Sequence, residues 1–266
     1  MRLHRFKLLV KQPCLSYIFL LTSLLSLSAC QQVDDNTLFV ATAANVQFAA
    51  KQIANTFTQQ TGQHCELIIA SSGQLTAQIE AGAPYHVFLA ADMQYPRYLD
   101  SIGRTLGPPK KYALGYLTLW TRKPLVIDST LNNPLLYAKE PLAIANPQVA
   151  PYGRAALEAL QAASFDLSSA ELIYGESITQ VNHFIQTEAI NSALTATSAS
   201  RLPKLVGKGY WYPLPSSFYQ PIEQGYVIIQ DQNNKVHPAA VKFGDYLHSL
   251  VAKDILAQYG YRSEVN

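Results

Sequence analysis

The feature that most constrains this chain is a regular alternation of short apolar runs with helix-spaced segments, each pair joined by a small polar turn. Leu38-Phe39-Val40-Ala41 reads as a buried strand. From Val46 the apolar residues fall at Val46, Ala49, Ala50, Ile53 and Phe57, the spacing of one helix face, before Gly62 stops it. The unit then repeats. Leu67-Ile68-Ile69-Ala70 is a strand, Ser71-Ser72-Gly73 a turn, and Leu75 to Ala81 a helix; Val87-Phe88-Leu89-Ala90 is a third strand, with a helix from about Tyr95 to Ser101. Each helix must carry the chain back before the next strand can pair, so this order predicts an α/β fold of mixed, mainly parallel sheets with flanking helices.

After Pro108-Pro109 the pattern changes. Ala113 to Thr121 is one long extended segment, read as a crossover into a second lobe. There the alternation resumes with a strand at Leu142-Ala143-Ile144-Ala145, a turn at Pro151-Tyr152-Gly153 and a helix containing Ala156, Leu157 and Leu160. A strand from Glu171 to Tyr174, a helix marked by Ile178, Val181, Phe184 and Ile185, and a short strand from Ser192 to Ala196 complete that lobe. Beyond Pro213, Pro215 and Pro221, Gly225 to Gln230 reads as the returning strand. Ala239 to Tyr261 reads as helical, with Val241, Tyr246, Leu247, Leu250, Ile255 and Leu256 as its buried face. Two crossings make the first lobe discontinuous, residues 37–115 with 225–266, against 116–224 for the second, with a cleft between them.

The residues before the fold read as an address. Arg2, Arg5, Lys7 and Lys11 precede an uncharged apolar run from Cys14 to Leu27, which is the layout of a secretory signal. The run is shorter than the roughly 20 residues of a spanning helix. It closes on Leu27-Ser28-Ala29-Cys30, which resembles a bacterial lipobox, where the cysteine is acylated and the chain cut just before it; an ordinary cleavage site containing a cysteine is the alternative. On the first reading residues 1–29 are removed, Cys30 carries the lipid that anchors the protein to a membrane, and residues 30–36 form a polar tether. Cys65 is then left without a partner inside the chain. Charged residues make up 14% of the sequence and the net charge is +2, against about 25% charged in typical soluble proteins. There is no basic field to favour nucleic acid, so any anion must be held locally.

Local anion binding has candidates. In parallel α/β sheets ligands collect at the carboxyl ends of strands, where the next helices begin. Four such junctions are Ala44-Asn45, Ser71-Ser72-Gly73, Pro151-Tyr152-Gly153 and Glu176-Ser177-Ile178. Each offers free backbone N–H groups at the positive end of a helix dipole. Any one of them is equally what a helix cap requires; four around one cleft would surround a tetrahedral dianion.

On these same residues the chain resembles a known family. The stretch from Val40 to Val46, the run ASSGQLTAQIEAGAP from Ala70 to Pro84, FLAAD at Phe88 to Asp92, VAPYGRAALEAL at Val149 to Leu160, and the ending from Val236 to Gly260 are similar to the bacterial molybdate-binding proteins of ABC transporters. The resemblance spans nearly the whole exported body. It implies a two-lobed periplasmic-binding-protein clamshell of type II. It further implies a monomer that captures molybdate, and usually tungstate, as a dehydrated dianion and delivers it to an ABC permease. No cofactor is implied, and molybdenum enters only as the oxyanion, with no direct protein ligand. Carried over motif by motif, the resemblance assigns anion contacts to Asn45 and the Ala44 amide, to the Ser72 hydroxyl and amide, to Tyr152, and to the Ile178 amide. Ser71 and Thr195 are further candidates. Thr195 departs from the family, some members of which place a tyrosine hydroxyl there; His86 stands where an acidic residue is usual.

None of the four junctions contains Lys or Arg. A lining made of donors accepts a fully deprotonated anion, whereas phosphate, protonated near neutral pH, also wants an acceptor. Sulfate differs only in size, and a binder of another tetrahedral oxyanion is therefore the closest alternative. Catalysis finds no support: there is no G-x-S-x-G elbow, no H-E-x-x-H and no C-x-x-C, and His64, His86, His183, His237 and His248 are scattered. For a metal-binding or structural envelope lipoprotein, only Asp245 and His248 share a helical spacing. Tyr210-Trp211-Tyr212, with Phe218 and Tyr219, is read as packing near the hinge and second-lobe edge, with a carbohydrate platform as the alternative.

Overall fold

β1 (Leu38–Ala43) is buried along nearly its whole length and feeds α1 (Gln47–Thr61), which buries Ala49, Ala50, Ile53, Ala54 and Phe57 on one face. β2 (Cys65–Ala70) with α2 (Ser72–Glu80), then β3 (Val87–Leu89) with α3 (Gln94–Ser101), repeat the unit. β1 pairs in parallel with both β2 and β3, so all three strands deliver their following segments to the same edge of the sheet. β4 (Lys110–Gly115) ends this run, and β5 (Leu117–Thr121) begins after the single residue Tyr116 but belongs to a different sheet. The extended segment expected from Ala113 to Thr121 is therefore two strands, divided where the chain passes between lobes. The computed structural model describes residues 36–126, 133–138, 141–168, 171–220 and 222–262; the signal segment and Cys30 lie outside them.

The second lobe holds β6 (Leu142–Ala145), α4 (Pro151–Ala162), β7 (Leu172–Gly175), α5 (Ile178–Gln186), β8 (Ser192–Ala196) and β9 (Tyr210–Pro213). β10 (Ile222–Ile228) returns to the first sheet, and α6 (Pro238–Tyr246) and α7 (Leu250–Gln258) follow. The sheets have five strands each, ordered β2-β1-β3-β10-β4 and β7-β6-β8-β5-β9. In both, the crossing strand is antiparallel to its neighbours while the strand–helix units run parallel. This is the two-lobed α/β clamshell.

Three local readings are corrected. Ser72-Gly73 and Pro151-Tyr152-Gly153 are first turns of α2 and α4, not turns ahead of them. Proline is favoured in a first helical turn because its missing N–H would have no helical partner there. Gly153 is required because a Cβ at that position would sit 2.2 Å from the Ala145 carbonyl oxygen. The returning strand begins at Ile222, three residues before Gly225. The C-terminal helix is broken: Ser249 caps α7 by accepting the Ala252 N–H at 3.2 Å. The restart puts Leu250 in an exposed first turn, at 79% exposure, while Leu247, Ile255 and Leu256 are buried; Val241, before the break, is 42% exposed on α6.

One face of the first sheet is covered by α1, α6 and α7, where Phe57 meets Phe243 edge to face at 5.2 Å. Leu75, Ile79 and Leu99 from α2 and α3 pack on the other face. The second lobe's core extends across the cleft, because Ala43, Ala44 and Ala91 of the first lobe pack into it. Trp211, Tyr212 and Phe218 lie against that core, and the Tyr219 hydroxyl accepts the Leu117 N–H at 3.0 Å, beside the crossover.

Candidate functional site

The strand-to-helix junctions of the two lobes meet at one small cavity. Asn45, Ser71, Ser72, Tyr152 and Ile178 line it, filled in by Ala43, Ala44, Ala91, Ala150 and Pro151. Of the residues named as candidate anion contacts, Ala44, Asn45, Ser71, Ser72, Tyr152 and Ile178 are in this lining and Thr195 is not. It is fully buried in β8, pairs with Thr118, and its hydroxyl donates to Asn182 Oδ1 at 2.8 Å.

The donors at the cavity are distinguished by what else they bind. The Ala44 N–H already donates to the Ala70 carbonyl at 2.9 Å, so Ala44 presents its methyl group rather than its amide. Ser71 is committed to a capping box: its oxygen accepts the Gln74 N–H at 3.4 Å, its hydroxyl donates to Gln74 Oε1 at 2.8 Å, and its own N–H reaches that same oxygen at 3.2 Å. The N–H groups of Asn45, Ser72, Tyr152 and Ile178 donate to no other group among the described residues. Those of Ser72, Tyr152 and Ile178 lie in first helical turns, where no helical carbonyl is in reach. Helix dipoles add partial positive charge at the same points. Ser72 is a fifth donor. Its Oγ accepts the Ala91 N–H at 3.0 Å, which leaves its own proton available to the cavity.

No Lys, Arg, Asp or Glu lines the cavity. The nearest cation along the motif, Arg154, is engaged in an ion pair with Asp92 and reaches the Tyr95 hydroxyl at 3.3 Å. Burial raises the Asp92 pKa above the usual carboxylate value, with the Arg154 charge offsetting part of the rise. This pair joins the lobes, as do Gly73 N–H to Val149 O at 3.0 Å and Gln47 Nε2 to Thr179 Oγ1 at 2.8 Å. The structure is thus a closed clamshell. The space open to the centre of a water-sized sphere is about 20 Å³, where one water needs about 10–15 Å³. That suits a small ion and excludes a sugar or an amino acid. A larger groove of about 440 Å³ lies outside the seam between α1 and α5, lined by Phe48, His183, Leu202 and Lys204 among others, and none of the free helix-start donors opens into it.

The side chains of Asn45 and Tyr152 point into a buried polar cluster that sequence reasoning missed. Asn45 Nδ2 donates to Gln224 Oε1 at 2.7 Å and to the Tyr261 hydroxyl at 3.0 Å. Gln224 Nε2 in turn donates to the Ala91 carbonyl at 3.0 Å. Asn45 Oδ1 and the Tyr152 hydroxyl are buried without a hydrogen-bond partner among the described residues. Burial pushes the Tyr152 hydroxyl well above its ordinary pKa, with the Tyr261 hydroxyl adding to the rise and the adjacent Asn45 side chain lowering it in part. Tyr152 therefore stays a neutral donor. Gly115, at the crossover, makes room for it, since a Cβ there would lie 2.1 Å from the Tyr152 hydroxyl oxygen. One signal for this cluster was in the sequence: Gln224 is a fully buried amide in the otherwise largely apolar strand β10.

His86 lies away from the cavity. Its Nδ1 accepts the Phe39 N–H at 3.0 Å and its ring stacks on His237 with centroids 4.4 Å apart. Among the described residues no three His, Cys, Asp or Glu side chains are grouped to hold a metal ion. None of the described helices is long and apolar enough to cross a membrane.

Comparison with known proteins gives the family. A family model for bacterial extracellular solute-binding proteins matches residues 38–262. The molybdate-binding protein ModA of Azotobacter vinelandii is 36% identical over 225 residues, covering 84% of this chain and 88% of the relative. The protein of the same name from Rhodobacter capsulatus is 33% identical, covering 85% and 88%. A solved structure, the periplasmic molybdate-binding protein of Azotobacter vinelandii, superposes with a TM-score of 0.77 at 30% identity, over 86% of this chain and all of that one. The chain belongs to the bacterial extracellular solute-binding proteins, among relatives named as molybdate-binding proteins.

Proposed function

We propose that this protein binds molybdate, or tungstate, outside the inner membrane and delivers it to an ABC permease for uptake. The observation that carries this reading is the convergence of five free donors on a cavity without formal charge: the N–H groups of Asn45, Ser72, Tyr152 and Ile178 and the Ser72 hydroxyl. Hydrogen bonds to an anion are about twice as strong as neutral ones, so such a set can replace the hydration shell of a dianion. The lining has no carboxylate to accept the proton of hydrogen phosphate, which sets phosphate apart. The relatives' names supply the oxyanion; the donor geometry supplies the reason it fits.

In this reading the protein is a monomeric binder, not an enzyme. Its two lobes, divided at Tyr116 and again just before β10, close on the anion as periplasmic binding proteins commonly do. Cys30 carries the lipid and residues 31–36 the tether, so the binder works in the periplasm close to its permease. Mass spectrometry of the exported N-terminus tests the anchor: a mass matching triacylated Cys30 supports it, and an unmodified N-terminus at any other residue rejects it. Isothermal titration with molybdate tests binding, with one site per chain as the expected result and no heat at any concentration as the contrary one.

A further inference from the structure

Tyr261 and Arg262, which follow α7, reach the buried polar cluster beside the candidate site from outside both sets of strand–helix units. After α7 the backbone turns back, and Arg262 pairs with Leu114, donating to its carbonyl at 3.1 Å and accepting its N–H at 2.7 Å. The Arg262 guanidinium lies over the Tyr116 ring, 5.2 Å from the centroid. Arg262 is thus pinned to the end of β4 and to Tyr116, where the chain passes between lobes. Between these anchors Tyr261, 3% exposed, inserts its hydroxyl among three groups. It donates to the Asn45 carbonyl at 2.8 Å, accepts from Asn45 Nδ2 at 3.0 Å, and lies 3.2 Å from Ser198 Oγ. Ser198 also reaches the Asn45 carbonyl, at 3.4 Å, and belongs to the turn after β8 in the second lobe.

We propose that Tyr261 is a positioning residue for anion capture. Its hydroxyl grips Asn45 by the carbonyl of the following peptide and by the side-chain carboxamide, which limits rotation at the Cα that also carries the Asn45 N–H, and it ties that turn to Ser198 of the facing lobe. Tyr261 itself does not line the cavity. Its effect is to hold one donor, 216 residues away in sequence, in the orientation that a bound anion requires. A donor left free to rotate must be ordered by the ligand at binding, which weakens affinity without removing a contact. Burial pushes the Tyr261 hydroxyl up to about 12, so it remains a proton donor throughout the working range of pH.

This inference rests on the proposed function, and the test separates the two. Molybdate affinity, dissociation rate and amide exchange are measured for the unaltered protein, for Tyr261→Phe and for Ser72→Ala. The expected result is a roughly tenfold rise in Kd for Tyr261→Phe, carried by faster dissociation. In its molybdate complex, hydrogen exchange should quicken at the Asn45 amide and stay unchanged at the Ser72 amide, a pattern that general loosening would not give. Equal affinity to the unaltered protein, or exchange raised equally at both amides, overturns the proposal. If Tyr261→Phe shows no cooperative melting, Ser198→Ala is judged by the same two readouts, since it removes the second-lobe contact and keeps the tyrosine. Absence of molybdate binding by the unaltered protein refutes the functional reading instead.

Discussion

Ser72 Oγ accepts the Ala91 N–H at 3.0 Å and donates to no group among the described residues, so its proton is available to the cavity that Ser72 lines. Replacing Ser72 by Ala removes that donor and leaves the Ala91 N–H buried without a partner. Binding of the anion is expected to weaken by about 1.5–3 kcal/mol, the range for a hydrogen bond to a charged group. Titration calorimetry on the variant checks this, and an unchanged Kd contradicts the assignment of Ser72. Ser71→Ala provides the contrast. Its hydroxyl is used in the cap, so it should cost about 1 kcal/mol of stability with little change in affinity.

Gly115 is expected to tolerate no side chain. A Cβ would stand 2.1 Å from the Tyr152 hydroxyl oxygen and 2.7 Å from Gln224 Nε2, both buried. Gly115→Ala should therefore destabilise the protein by about 1–3 kcal/mol, as overpacking does, and weaken anion binding by displacing α4. Urea unfolding gives the first quantity and calorimetry the second. A variant of unaltered stability would show that the crossover is looser than these distances require.

The His86–His237 stack gives the fold a dependence on pH. Burial, with the neighbouring His237, lowers the His86 pKa from 6.5 to about 4. The folded protein therefore binds fewer protons than the unfolded chain between these values, so the stabilisation is complete above pH 6.5 and is lost as pH falls toward 4. The loss should reach about 2 kcal/mol, from 1.36 kcal/mol per unit discounted because the ring is partly solvated. Urea midpoints at pH 7.5 and 4.5 measure it. His86→Asn, which can still accept the Phe39 N–H, should show a smaller difference between the two.

Much of this was legible in sequence because it is local. Helical spacing and the alternation of strand and helix depend on residues within a few turns of one another, and they placed the four helix starts at Asn45, Ser72, Tyr152 and Ile178, though not the junction after β3 that lines the cavity through Ala91. What failed was non-local. That the Ala44 amide is taken by Ala70 follows from strand register, which no run of residues near Ala44 encodes. The partners of Asn45, at Gln224 and Tyr261, are 179 and 216 residues away. Thr195 looked available because its partner Asn182 lies on a different element, α5. The break before α7 was masked because Leu250 is apolar yet sits in the helix's exposed first turn.

Uncharged helix-start donors should hold a tetrahedral dianion selectively. Thermal unfolding of the intact exported protein against molybdate, tungstate, sulfate and phosphate tests it most directly. Ligand that binds only the folded state stabilises by RT ln(1 + [L]/Kd), about 4 kcal/mol at a thousandfold excess over Kd. A large upward shift is expected with molybdate or tungstate and none with phosphate. Absence of a shift with every tetrahedral dianion, or an equal shift with phosphate, would contradict it.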